Sequence, residues 1–273
     1  MAVLREYDIR PVKRRGQNFL VDGNLARAIA QDTLLLGNRV LELGAGGGAL
    51  TVHLLEGGAR VVAVEVDRKL CALLEGEFGQ RSDFTLIEGD LARLDWQDAV
   101  DRAGSLPVVA GNLPYVLTSK VLFTLADLRQ VTGGAVFMVQ KEVAERLVAS
   151  PGGRDYGILA AVLGSVFDIR ILRTVPAAVF WPRPEVESAV VSLLPGDVWS
   201  DAEFHHFISV VKTLFGQRRK KLLTQMRAHY GLDADAAAEL AAVSGVDPQS
   251  RPEQIEPAGL RRLAANLPRK DGP

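Results

Sequence analysis

The chain has 273 residues, 48% hydrophobic and 24% charged, enough to bury a core as one large domain or two modest ones. Its 32 Lys and Arg against 33 Asp and Glu exclude a protein that coats nucleic acid by bulk charge, though not one with a local basic face. The lone Cys71 excludes a disulfide framework and a cysteine-rich zinc site. No apolar run reaches the ~20 residues of a membrane span, and the charged N-terminus lacks the apolar stretch of a signal peptide, so a cytoplasmic protein is expected.

Five apolar runs of strand length follow one another at Arg39–Leu43, Arg60–Val66, Phe84–Glu88, Val108–Asn112 and Ala135–Val139. Helical patterns at Ala49–Leu55, Arg68–Phe78 and Ser119–Leu128 separate them. This alternation predicts an α/β fold with a mostly parallel sheet covered on both faces. A helix is expected over Glu142–Ala149, stopping at Ser150-Pro151-Gly152-Gly153, and another over Tyr156–Ser165. Phe167–Thr174 and Ser188–Leu194 then read as an antiparallel pair at the sheet edge, joined by the loop Val179–Pro184. Beyond Pro195-Gly196 the β signal ends. Ala202–Phe215, Lys220–Tyr230, Ala234–Val243 and Pro257–Leu267 read as helices, so we expect a first domain at 1–195 and a helical one at 196–273. Acidic and basic residues nearly balance in the second, yet Arg218-Arg219-Lys220-Lys221 form a cluster.

The first strand runs into Glu42-Leu43-Gly44-Ala45-Gly46-Gly47-Gly48. Glycines such as Gly44 and Gly46 let a ligand approach the backbone at the carboxyl edge of a sheet. Glu65 ends the second strand, where a carboxylate can accept ribose hydroxyls, and Asp90 follows the third, where it can take an adenine amine. Gly44-x-Gly46-x-x-Ala49 also satisfies the dinucleotide fingerprint, which keeps NAD in play. Three acids, Glu42, Glu65 and Asp90, suit S-adenosylmethionine (SAM) better. The fourth strand ends in Asn112-Leu113-Pro114-Tyr115. Proline holds its predecessor extended, so the Asn112 amide oxygen and the Leu113 carbonyl are placed to accept from an exocyclic amine, with Tyr115 offering a stacking face.

That tetrapeptide resembles an amino-methyltransferase motif, and the resemblance extends along residues 12–265. Arg14–Leu20, Val139–Leu147, Pro151–Gly157, Phe180–Pro184 and Phe215–Lys220 are similar to segments of ribosomal RNA adenine dimethyltransferases. The fold implied is a Rossmann-like SAM-dependent methyltransferase sheet with a small C-terminal helical, RNA-binding domain. The site implied adds Gln17, Asn18, Leu20, Val66 and Leu91 to Gly44, Gly46, Glu65, Asp90 and Asn112 around SAM. Tyr115 and Phe180 would clamp the target base, while Asn112 and the Leu113 carbonyl hold its N6 amine. Lys13, Arg14, Arg15, Arg218, Arg219, Lys220 and Lys221 would touch phosphates.

Two departures stand out: Ala45 replaces a common proline, which is expected to loosen the loop without removing its backbone contacts, and Trp181 replaces a common tyrosine, which leaves an aromatic. Asn112–Tyr115, Pro151–Gly157 and Arg251–Ile255 resemble the housekeeping branch. That branch dimethylates two adjacent adenines in the 3′-terminal hairpin loop of 16S rRNA in the small ribosomal subunit; a monomer is expected. The alternatives are a large-subunit rRNA dimethyltransferase conferring antibiotic resistance, an NAD-dependent enzyme, and a non-catalytic RNA-binding relative. His53, His205 and His206 lack a second ligand at metal spacing and Cys71 reads as a core residue, so no metal is expected.

Overall fold

A computed structural model describes residues 7, 9–11, 17–196 and 199–269. Lys13, Arg14 and Arg15 lie outside the described residues. Seven strands form one sheet: β2 (Arg39–Leu43), β3 (Arg60–Glu65), β4 (Phe84–Glu88), β5 (Val108–Asn112), β6 (Gly134–Gln140), β7 (Phe167–Val175) and β9 (Ser188–Pro195). Their order is β4-β3-β2-β5-β6-β9-β7. The pairs β2–β3, β3–β4, β2–β5 and β5–β6 are parallel, and β9 runs antiparallel to β6. From β2 the chain first winds outward to β3 and β4, then returns to β5 on the other side. The switch point between β2 and β5 is where open α/β sheets hold ligands.

The register brings the strand ends level. Leu43 pairs Val64, Glu65 pairs Glu88, and Asn112 pairs Met138. β2 and β5 approach so closely that a Cβ on Gly111 would stand 2.4 Å from the Leu43 carbonyl oxygen. Only glycine fits there. Val40, Leu41, Leu43, Val61–Val64 and Val108–Ala110 are buried, as strands covered on both faces must be.

Two helices of this region were not expected from the sequence, α1 (Gly23–Leu34) and α4 (Trp96–Ala103). Each carries a legible start signal. Asp22 accepts from the Leu25 N–H at 2.9 Å, and Asp95 from the Asp98 N–H at 3.1 Å. Helix α2 (Thr51–Glu56) begins at Thr51 rather than Ala49, because Gly46 and Gly48 hold positive φ just before it. Helices α3 (Arg68–Phe78) and α5 (Thr118–Asp127) lie as expected within two residues. A further two-stranded sheet pairs β1 (Phe19–Leu20) with β8 (Phe180–Trp181).

The chain separates into two compact units, 1–144 with 168–195 and 145–167 with 196–273. Residues 145–167, placed in the first domain by the sequence, thus pack with the C-terminal helices. The cause is helix α7 (Ile158–Leu163), which follows α6 (Lys141–Leu147) and buries Ala160–Leu163. It packs against α8 (Asp201–Phe215). Around α8 stand α9 (Leu222–Tyr230), α10 (Ala234–Val243) and α11 (Pro257–Asn266). Phe204, Phe207, Leu214, Met226, Leu260 and Leu263 are buried in this unit. Ser200 and Glu203 cap α8 reciprocally. Among the described residues, no helix is long and apolar enough to cross a membrane.

Candidate active site

The level ends of β2, β3, β4 and β5 open onto a cavity of about 670 Å³. It is lined by Gln17, Asn18, Leu20, Gly44, Gly46, Glu65, Val66, Asp90, Leu91, Asn112, Leu113 and Tyr115, so expectations widely separated along the sequence meet in one place. Gly44 and Gly46 have φ of +70° and +58°, the left-handed region that glycine occupies without penalty. The loop keeps its backbone contacts at Ala45: its N–H, which proline would lack, donates to the Val64 carbonyl at 3.2 Å beside the Gly44 bond at 2.8 Å, and Ala45 is buried.

Glu65 is the hinge of the cavity. One carboxylate oxygen accepts from Gly46 N–H at 2.9 Å, tying the glycine loop to the end of β3. The other accepts from the N–H groups of Val66 and Asp67, each at 2.9 Å. Three charge-assisted bonds hold the carboxylate in one orientation and leave one acceptor site, on the oxygen that takes the Gly46 N–H. Asp90 is exposed and accepts from the Ala92 N–H at 2.8 Å, which fixes the turn after β4. Val66 is 40% exposed and offers an apolar wall beside Glu65.

At the end of β5 the Asn112 amide donates to the Asn18 carbonyl at 2.9 Å. That bond fixes the side chain and directs Oδ1, its acceptor end, away from Asn18. Leu113 N–H is held by the Met138 carbonyl at 3.1 Å, so the strand stays in register to Pro114. The Tyr115 hydroxyl lies 3.2 Å from Ser188 Oγ on β9. The strand pair β1–β8 anchors the 17–20 segment by aligning Leu20 with Phe180 and Phe19 with Trp181.

Phe180, expected to clamp the base, is 4% exposed, belongs to the main core cluster and pairs with Leu20 across β1 and β8. The half-buried Trp181 stacks on Phe19 at 6.2 Å. Cys71 is buried, and burial pushes its thiol up to about 11, an inert core group as expected.

The lining also includes residues that strand-end reasoning did not reach, Asp22, His53 and Glu77. With Glu42, Glu65 and Asp90 the described wall carries five carboxylates and neither Lys nor Arg. This donor set favours SAM, whose sulfonium and ammonium meet opposite charge on the described wall. The residues present fit SAM.

In the second unit Arg218, Arg219, Lys220 and Lys221 are all exposed on the turn after α8. Gln225, fully buried and not anticipated from sequence, staples this turn by donating to the Gln217 and Lys220 carbonyls at 3.2 and 3.1 Å. Lys221 donates to Gln249, Leu222 N–H to the Ser250 carbonyl, and Arg218 pairs Glu253 at 3.7 Å. Pro151–Gly157 docks on the same segment. Gly152 N–H donates to the Glu253 carbonyl at 2.7 Å, and the Tyr156 hydroxyl to that of Ile255 at 2.9 Å.

A parallel sheet with a glycine-looped, acid-walled cavity at its switch point defines an α/β enzyme for a cationic nucleoside cofactor. Residues 11–259 match the model of the family described as ribosomal RNA adenine dimethylase. A ribosomal RNA small subunit methyltransferase A from Anaeromyxobacter sp. (strain K) is 43% identical over 97% of this chain and 96% of its own. Among solved structures, a dimethyladenosine transferase from Plasmodium falciparum superposes with a TM-score of 0.74 at 20% identity, covering 90% of this chain and 96% of that one. The 23S rRNA methyltransferase ErmE gives 0.69 at 22% identity, covering 92% and 99%. Both likenesses concern the fold. The chain belongs to the ribosomal RNA adenine dimethylase family. It is a SAM-dependent methyltransferase acting on adenine in ribosomal RNA.

Proposed function

We propose that this protein methylates N6 of two adjacent adenines in the 3′-terminal hairpin loop of 16S rRNA, within the small ribosomal subunit, giving N6,N6-dimethyladenosines. The observation that carries the reading is the near full-length identity with a small-subunit methyltransferase. Pro151–Gly157 and the segment ending at Ile255, the motifs that resemble the housekeeping branch, also pack on each other. The 23S rRNA methyltransferase named above offers a likeness of fold at 22% identity. The protein acts as a monomer in this reading, and the ribosomal substrate supports a cytoplasmic setting.

Gly44, Gly46, Glu65, Val66, Asp90 and Leu91, with Gln17, Asn18 and Leu20, hold SAM in this reading. Bound SAM supplies an activated methyl group, so the protein's task is to prepare the acceptor. The adenine N6 lone pair is delocalised into its ring. Asn112 Oδ1 and the Leu113 carbonyl accept from the amine and favour the tetrahedral nitrogen that exposes the pair. Tyr115, steadied at Ser188, stacks on the base. Monomethyladenine keeps one N–H, so the second transfer proceeds with a single acceptor engaged. A loop adenine leaves its stack more easily than one in a duplex. Arg218, Arg219, Lys220 and Lys221 contact phosphates and set affinity rather than chemistry.

The reading is tested by incubating under-methylated small subunits, and separately large subunits, with SAM and digesting the RNA to nucleosides. Mass spectrometry should find two N6,N6-dimethyladenosines per small subunit, both in the 3′-terminal fragment. Transfer to large-subunit RNA alone would overturn it.

A further inference from the structure

Glu42 has a setting unlike that of Glu65. It lies on β2, opposite Ala63 of β3 and Ala110 of β5, and is 2% exposed. Its carboxyl oxygen Oε2 accepts from the Thr51 hydroxyl at 2.7 Å. The titratable groups around the same cavity are Glu65 from β3, His53 from α2, Asp22 before α1, Glu77 from α3, Asp90 after β4 and Tyr115 after β5. His53 bonds Glu56 at 3.0 Å, and no Lys or Arg lines the cavity among the described residues. A buried carboxylate that Thr51 alone supports, through its hydroxyl and its backbone N–H, and that faces the acid Glu65, is poorly compensated for its desolvation.

We propose that Glu42 is protonated in the SAM-free protein and releases that proton to solvent when SAM binds. The balance is simple: a neutral carboxylic acid and a cationic cofactor become an ion pair plus one free proton. No covalent bond other than the acid's O–H changes. SAM brings the positive charge that the cavity wall lacks, and the charged form of Glu42 then becomes the favoured one. The pKa of Glu42, pushed up to about 8 by burial and the nearby Glu65, agrees with this arrangement. The inference rests on SAM being the cofactor.

Titration calorimetry of the full chain with SAM tests it at pH 7.0 in phosphate and in Tris, whose ionisation enthalpies differ. The buffer dependence of the heat counts protons. Wild type should release close to one, as should His53→Gln, which removes the cavity's imidazole. Glu42→Gln, an isosteric neutral residue, should release close to none. A wild-type count near zero with SAM bound overturns the proposal, as does an unchanged count in Glu42→Gln. Failure of SAM to bind wild type at all would overturn the cofactor assignment instead. Wild type alone provides a second measurement: SAM affinity should rise on the order of tenfold from pH 6.0 to 7.5, and a flat profile overturns the proposal.

Discussion

The SAM cavity and the basic turn are assembled in contrasting ways. In the first unit, consecutive strand ends deliver Gly44, Glu65, Asp90 and Asn112, and backbone N–H groups lock the key carboxylate. Its described wall has carboxylates and no Lys or Arg. In the second unit, four exposed cations stand on a short turn held from behind by Gln225, Gln249, Ser250 and Glu253. A small cationic cofactor demands rigid, buried, oriented acceptors. An RNA backbone demands accessible positive charge whose position matters less than its density. The two regions should therefore fail differently when altered.

The sharpest break is at the β2–β5 contact. Gly111→Ala places a Cβ against the Leu43 carbonyl oxygen, with backbone on both sides and no flexible side chain to yield. It should destabilise the first unit by roughly 2–6 kcal/mol, seen as a lower denaturation midpoint. Glu65→Ala removes the acceptor for three backbone N–H groups and, in the proposed reading, the ribose partner. SAM affinity should fall by about 1–3 kcal/mol in calorimetry while RNA affinity holds. Unchanged SAM affinity would remove Glu65 from the cofactor site.

Glu42 gives a pH signature. Its pKa rises from an ordinary 4.5 to about 8 in the fold, so the folded state binds the proton that the unfolded state has lost. The stabilising contribution is complete below about 4.5 and disappears as pH rises through about 8. Melting of SAM-free wild type should accordingly fall behind Glu42→Gln as pH goes from 5 to 8, by several degrees at the upper end. Parallel curves would contradict the assigned burial. The smallest effect belongs to the basic turn. Arg218→Ala and Lys220→Ala should each lower the slope of log affinity against log salt by roughly one for each phosphate left without its cation. SAM affinity should not change, and an unaltered slope would make these cations an ordinary solvated face.

How much of this was legible depended on how local the signal is. Strands β2, β4 and β5 read to the residue because buried parallel strands are short apolar runs bounded by turns. The cavity followed, since strand order alone puts their ends together. The helices starting after Asp22 and Asp95 were overlooked although both caps are visible in the sequence. The depth of Phe180 was hidden for a different reason: it depends on the pairing of β1 with β8, far apart in the chain, which no periodicity reveals. Gln225 is of the same kind: a polar residue inside a helix looks solvated until the turn it staples is known. Glu42 was visible as an acid, but its burial and its Thr51 partner belong to the three-dimensional structure alone.

The central claim is that the cavity performs the chemistry through an oriented Asn112, while phosphate contacts elsewhere hold the RNA. Asn112→Ala tests it in single-turnover methylation at saturating SAM and RNA, with RNA affinity measured in parallel. Loss of an acceptor that acts on the amine in the transition state should slow transfer by roughly thirty- to a thousand-fold, on the order of 2–4 kcal/mol, with RNA affinity unchanged. Transfer within threefold of wild type would contradict the account and leave Asn112 as the residue that ties Asn18 to the end of β5.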